Sequence, residues 1–305
     1  MREGTAYQQA CAAIADVTGA WAKGLSLADI RTSFEDFLTE AGGPLSVPVT
    51  ETVLEINGCK ACWFTPPLLL SHRPLLYCHG GGFQIGSIKS HASLMARLAV
   101  ASGMRVLGFD YRLAPEHRAP AAHDDSFRVY QWLLERGEKP LAFVGDSAGG
   151  ALALATALKA RDAGLLLPHA LILLSPWLDL GLSGASYQTL ADRDVFSKPE
   201  QLRAMARSYA GRDANYSDPA LSPVFARLEG LPPILIHAGA HDITLDDAHE
   251  LNRRAQAHAV PVHLKVFPDM FHHFQVFSSL PETEESLREI GTFLKGLGAV
   301  HRPFA

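Results

Sequence analysis

The chain has 305 residues, 48% of them hydrophobic, and a net charge of −5, which is apolar material enough for one large core or two small ones. The charge is mild: it forms no basic stripe suited to nucleic acid and no like-charge block typical of a disordered tail. Gln8, Gln9 and Asp16 break up the apolar residues of the N-terminus, so it does not read as a signal peptide, and no stretch is long enough to span a bilayer, so the expectation is a cytoplasmic protein with no membrane span.

In chain order, residues 1–46 read as helical, with Ser26 and Asp29 at capping-box spacing and Ile30, Phe34, Phe37 and Leu38 on one face. Two short apolar runs follow, 52–56 and 61–65, joined by Asn57-Gly58 and therefore expected to pair antiparallel. The four cysteines include a C-x-x-C at Cys59 and Cys62. In a strand those two point to opposite faces, and there is no second such pair to complete a zinc site, so no metal is expected. Further runs at 74–79, 105–110, 141–145, 170–175, 233–238 and 262–267 mostly alternate with helical stretches at 91–102, 121–136, 147–162, 245–259 and 282–297. Strand and helix in alternation imply parallel pairing through crossovers, and unbroken apolar runs such as Ile172-Leu173-Leu174 imply a sheet covered on both faces. The fold class is an α/β three-layer sandwich. Residues 181–228 interrupt the rhythm and, with 1–46, are expected to form a helical cap over a core made of 47–180 and 229–305, at the end of the sheet where ligands of such folds bind.

Three stretches carry chemistry. Gly145-Asp146-Ser147-Ala148-Gly149-Gly150 follows an apolar run and opens an alanine-rich helix. G-x-S-x-G in that context is a nucleophile elbow, in which a Cβ at Gly145 or Gly149 would crowd a tight turn. His79-Gly80-Gly81-Gly82-Phe83 follows another strand. Such a glycine run lets backbone N–H groups point into a cavity, where they can hold an oxyanion; Gly81 and Gly82, with the N–H of Ala148, are the expected donors. A phosphate loop is disfavoured because no lysine follows at P-loop spacing. Activating a serine requires a base and an orienting carboxylate. The loops after the last two runs offer Asp242, with Asp246 and Asp247 more simply opening a helix, and the neighbouring pair His272 and His273, which spacing alone does not separate.

These stretches, with Asp110-Tyr111-Arg112-Leu113-Ala114-Pro115-Glu116 and Ser175-Pro176-Trp177 in the same order, resemble the hormone-sensitive-lipase-like α/β hydrolases, the bacterial family IV esterases. The resemblance spans most of the chain. It implies an eight-stranded sheet, a helical cap, no cofactor and short- to medium-chain acyl esters as substrates. It also implies Ser147 as nucleophile, Asp242 as acid and, by the family's M-x-H pattern, His272 as base. Arg112 and Glu116 are expected to ion-pair without a catalytic part, and Phe83, Trp177, Leu178 and Met270 are candidate pocket residues. A small-molecule ester is the expected partner, and a homodimer is compatible with the sequence. A small-molecule receptor on the same fold, or an amidase or peptidase, are the competing readings. A base that must start neutral predicts activity falling below pH about 6.5.

Overall fold

A computed structural model describes residues 5–299 of the protein. Its elements in chain order are α1 (Ala6–Trp21), α2 (Leu27–Gly42), β1 (Thr50–Ile56), β2 (Cys59–Thr65), β3 (Leu75–Cys78), α3 (Ile88–Ser102), β4 (Val106–Phe109), α4 (Ala121–Glu135), β5 (Ala142–Asp146), α5 (Ala148–Asp162), β6 (Ala170–Leu174), α6 (Ser186–Thr189), α7 (Pro199–Ala210), β7 (Ile234–Gly239), α8 (Leu245–Ala257), β8 (Val262–Phe267) and α9 (Pro281–Ala299). One eight-stranded sheet runs β1-β2-β4-β3-β5-β6-β7-β8. The β1–β2 and β2–β4 pairs are antiparallel and the rest parallel.

Side-chain alternation splits the core in two. In β6, Leu171 and Leu173 join the cluster that faces α4, α5 and α8, while Ile172 and Leu174 join the one that faces α3 and α9. The C-x-x-C divides the same way: Cys59 is buried in the first cluster and Cys62 in the second. Both faces of the central strands are therefore dry, which explains why their sequence lacks an in–out pattern.

The helix starts follow local chemistry. Thr5 and Gln8 close a reciprocal capping box on α1, and Ser87 and Ser90 do so on α3. On α2 only half of the expected box forms. The Ser26 hydroxyl accepts from the Asp29 N–H but donates to the Asp29 carboxylate, which leaves that carboxylate turned away from the Ser26 backbone.

The loop after β4 is held differently from the Arg112–Glu116 pairing the sequence suggests. Arg112 binds the buried Asp125 of α4 through its guanidinium and its own N–H. Glu116 points the other way, into a two-pronged pair with Arg31 of α2, both contacts at 2.8 Å. Arg31 also donates to the Gln84 and Ala114 carbonyls. A single N-terminal side chain thus ties α2 to the glycine loop after β3. Among the described residues, no helix is long and apolar enough to cross a membrane.

Candidate active site

Parallel strands deliver their carboxyl ends to one edge, where the loops after β3, β5, β6, β7 and β8 meet. The turn from β5 to α5 is the tightest. A Cβ on Gly149 would stand 2.0 Å from the Cys78 carbonyl oxygen, so only glycine lets α5 start that close to β3. Ser147 itself has φ 50° and ψ −122°, a conformation that costs a non-glycine residue about 1–3 kcal/mol. Three backbone bonds hold it there: its N–H donates to Leu174 O at 2.9 Å, and its carbonyl accepts from Gly150 and Trp177 at 3.0 Å each. Ser147 occupies the N-cap position of α5, yet its hydroxyl makes no capping bond. The roughly 1 kcal/mol that a serine cap normally contributes is forgone.

The hydroxyl turns instead to the loop after β8. Ser147 Oγ lies 2.8 Å from His272 Nε2, and His272 Nδ1 lies 2.9 Å from Asp242 Oδ1. With Nδ1–H donating to the carboxylate, Nε2 is left as the acceptor for the serine proton. Asp242 Oδ1 also accepts from the Thr244 N–H and hydroxyl, each at 2.8 Å. Burial alone would lower the pKa of His272, but the Asp242 carboxylate beside it, helped by Asp194, raises it above the ordinary imidazole value. Burial likewise works against the charge on Asp242, and the facing imidazole with its hydrogen bonds brings its pKa below the usual carboxylate range.

The neighbouring histidine points elsewhere. His273 has a left-handed backbone, φ 58°, and its Nε2 lies 3.0 Å from Asp146 Oδ2. Its N–H donates to Ser175 Oγ. Burial holds its pKa down at about 3, so it is a neutral ring at working pH. Asp146 is fully buried and accepts from Tyr77 Oη at 2.6 Å and from the Gly80 N–H at 3.0 Å, with His91 Nε2 at 3.3 Å. Burial opposes its charge, but His273, His91 and these bonds outweigh it and hold the carboxyl below its ordinary range. The residue before the serine thus pins the start of the glycine loop.

In that loop Gly81 has φ +114°, and a Cβ there would lie 2.1 Å from Ile85 O. Its carbonyl accepts from Gln84 and Ile85, whereas the N–H groups of Gly81 and Gly82 enter no hydrogen bond among the described residues. Ala148 sits in the first turn of α5, where N–H groups have no partner within the helix.

A cavity of about 410 Å³ opens over these groups. Its wall includes Ser147, Gly81, Gly82 and His272, then Trp21, Ile30 and Phe34 from the N-terminal helices and Phe196, Leu202 and Met205 from the segment between β6 and β7. Among the described residues no lysine, arginine, aspartate or glutamate lines it. The four candidate pocket residues are not in this wall. Phe83 is fully buried, stacked on Tyr209 at 4.0 Å; Trp177 is fully buried, with its indole N–H on Asp179 O; Leu178 is fully buried; and Met270 packs in the core beneath. The reason is directional: Phe83 at φ 62° turns away from the glycine loop into the core.

Sequence reasoning did not pick out Thr244, Ser175, Asp194 or the N-terminal wall. Thr244 sits two places after the acid, the usual reach of a side chain that bonds its neighbour's carboxylate. Ser175 lies inside a quoted motif without a role assigned to it. Asp194 lies in an irregular segment with no periodicity, so no local signal marked it.

Comparison with known proteins shows the family and the fold. Residues 75–276 match a family described as alpha/beta hydrolase fold. The chain is 39% identical over 264 residues to an acetyl-hydrolase of Streptomyces hygroscopicus, covering 85% of this chain and 87% of that protein. It is 40% identical over 226 residues to an esterase of Acinetobacter venetianus, covering 73% and 75%. The crystal structure of an esterase from the bacterial hormone-sensitive lipase family superposes with a TM-score of 0.90 at 36% identity, over 97% of this chain and 99% of that one.

Proposed function

Because the chain belongs to the α/β-hydrolase family and is a carboxylic ester hydrolase of its hormone-sensitive-lipase-like group, we propose that it cleaves small uncharged acyl esters through an acyl-enzyme on Ser147. The observation that carries this reading is the unbroken chain of contacts from Ser147 Oγ to His272 Nε2 at 2.8 Å and from His272 Nδ1 to Asp242 Oδ1 at 2.9 Å. His272 takes the serine proton as the hydroxyl attacks the ester carbonyl. The backbone N–H groups of Gly81, Gly82 and Ala148 hold the oxyanion that forms, each such donor lowering the barrier by about 2.7–4 kcal/mol. The alcohol leaves with the proton from His272, and water attacks the acyl group by the same route in reverse. Asp242 fixes the tautomer and the orientation of the ring and stabilises its transient positive charge.

The substrate class follows from the wall. A cavity of about 410 Å³ lies near the small end of ligand pockets, and with no lysine, arginine, aspartate or glutamate among the described residues of its lining an ionised acyl or alcohol group would be desolvated there with no such partner. Short- to medium-chain neutral esters fit, and we read residues 1–46, of which 1–4 lie outside the described residues, and 181–228 as the cap that limits their length. The test is a series of p-nitrophenyl esters from acetyl to palmitoyl, with a phosphonate reagent to locate the nucleophile. Turnover concentrated at the short end and a mass adduct on the peptide containing Ser147 are expected. No turnover of any ester, or an adduct elsewhere, would overturn the proposal.

A further inference from the structure

A second carboxylate stands beside the base. Asp194 lies in the segment between α6 and α7, is fully buried, and offers an oxygen within 4.8 Å of both an Asp242 oxygen and a His272 ring nitrogen. Its two oxygens divide their work. Oδ1 accepts from the N–H groups of Phe196 and Ser197 at 2.9 and 3.1 Å, and Oδ2 accepts from the Ile243 N–H at 3.0 Å. One side chain thus joins the segment that supplies Phe196 to the cavity wall with the loop that carries the acid. The outer oxygen of Asp242, Oδ2, is buried and faces no cation among the described residues, while the Ser175 hydroxyl helps to keep the carboxyl charged.

We propose that Asp194 is a positioning residue for the reaction: a second negative charge that, with Asp242, raises the basicity of His272 and fixes the acid loop against the cavity wall. The proposal rests on His272 being the base. A like-charge pair in a dry site costs free energy, and a purely structural staple could have been a neutral side chain. Three backbone N–H donors and the nearby imidazole are what allow the charge to persist. The other groups that face this cluster are Asp146 and His273, behind His272, and Tyr7 of α1, whose phenol feels Asp194 and is pushed up to about 12 mainly by burial. Burial and the Asp242 charge, in that order, raise Asp194 to about 6, so it is ionised at neutral pH and takes a proton within a range that assays can reach.

The test is Asp194→Asn, close in shape and able to keep an acceptor for Phe196 and Ser197. The acid limb of kcat/KM should move down by about one pH unit, the size of shift a charge at this distance produces. KM for p-nitrophenyl acetate should change less than twofold. A limb that stays in place while the melting temperature falls would reduce Asp194 to a structural staple and overturn the proposal. If the variant does not fold, the unmutated protein provides the same test. The downfield Nδ1 proton resonance of His272 should show a second inflection near 6 as Asp194 titrates, and a single inflection would overturn it. Loss of the base itself reads differently: if His272→Ala retains ester turnover, the underlying mechanism fails, whatever Asp194 does.

Discussion

At the scale of single residues the candidate site joins Ser147, in a strained backbone conformation, to His272, an imidazole whose pKa is raised. Ser147→Ala removes the hydroxyl but none of the three backbone bonds that hold position 147. We expect ester turnover to fall by a factor on the order of 10⁶ with the thermal melt unchanged, read by p-nitrophenyl butyrate assay and calorimetry. The two adjacent histidines should separate cleanly. His272→Ala should match the serine variant in rate. His273→Ala should keep most of the activity but melt lower, because it strips a partner from buried Asp146. The raised pKa of His272 moves the sequence-based expectation for pH: its protonated ring cannot take the serine proton, so kcat/KM should fall as pH drops through a midpoint above 6.5, the ordinary imidazole value. A midpoint at or below 6.5 would contradict the assigned environment. That Ser147, Asp242 and His272 would meet was legible in the sequence because the proposed chemistry demands fixed residue types on short loops after known strands. Asp194 and Ser175 were not: Asp194 reaches the loop of Asp242 through the Ile243 N–H, 49 residues away, and Ser175 reaches the loop of His272 through the His273 N–H, 98 residues away, and contacts that long leave no spacing in the chain.

Among elements, the sheet and its crossovers were readable to within about two residues at most ends, since β-branched runs and glycine turns are local signals. What local signals could not give was how the N-terminal helices attach. Bonds from Ser87, Ser93 and Arg97 hold α2 to α3, and Arg31 ties it to the loops beside the cavity; its ion pair with Glu116 is partly exposed, with 28% and 53% of the two side chains open to solvent. An exposed pair contributes little by itself. The additional bonds from Arg31 to the Gln84 and Ala114 carbonyls, on the two loops beside the cavity, should matter more. Glu116→Ala is therefore expected to change KM and the melting temperature only slightly. Arg31→Ala should raise KM several-fold, because α2 supplies Ile30 and Phe34 to the cavity wall and loses its tie to the glycine loop. Equal effects of the two variants would show that the ion pair, not the carbonyl bonds, holds the helix.

For the whole molecule, the histidines that do no chemistry govern how stability depends on pH. His237 of β7 is the clearest case: it is fully buried, its Nδ1 lies 2.8 Å from Ser286 Oγ on α9, and burial, then Lys265 and His263, lower it to about 3. Glu289 Oε2 stands 3.4 Å from its other nitrogen and would favour a charged ring, but that glutamate is 37% exposed and Nε2 has no hydrogen-bond partner among the described residues, so burial prevails. The sign follows. Between the unfolded pKa near 6.5 and the folded value near 3 the unfolded chain binds a proton that the folded one refuses, so this position loses stability as pH falls, by about 1.4 kcal/mol per unit. Other buried groups shift in both directions, which makes the total slope a poor test and a difference between two proteins a good one. His237→Gln should be less stable than the unmodified chain at pH 7 in urea melts. By pH 5 that gap should narrow by about 2 kcal/mol, since glutamine has no proton to bind in either state. A gap that stays constant would mean that the folded ring titrates like the unfolded one, and a gap that widens toward pH 5 would mean that Glu289 holds His237 protonated, so that β7 and α9 share an ion pair in place of a neutral ring.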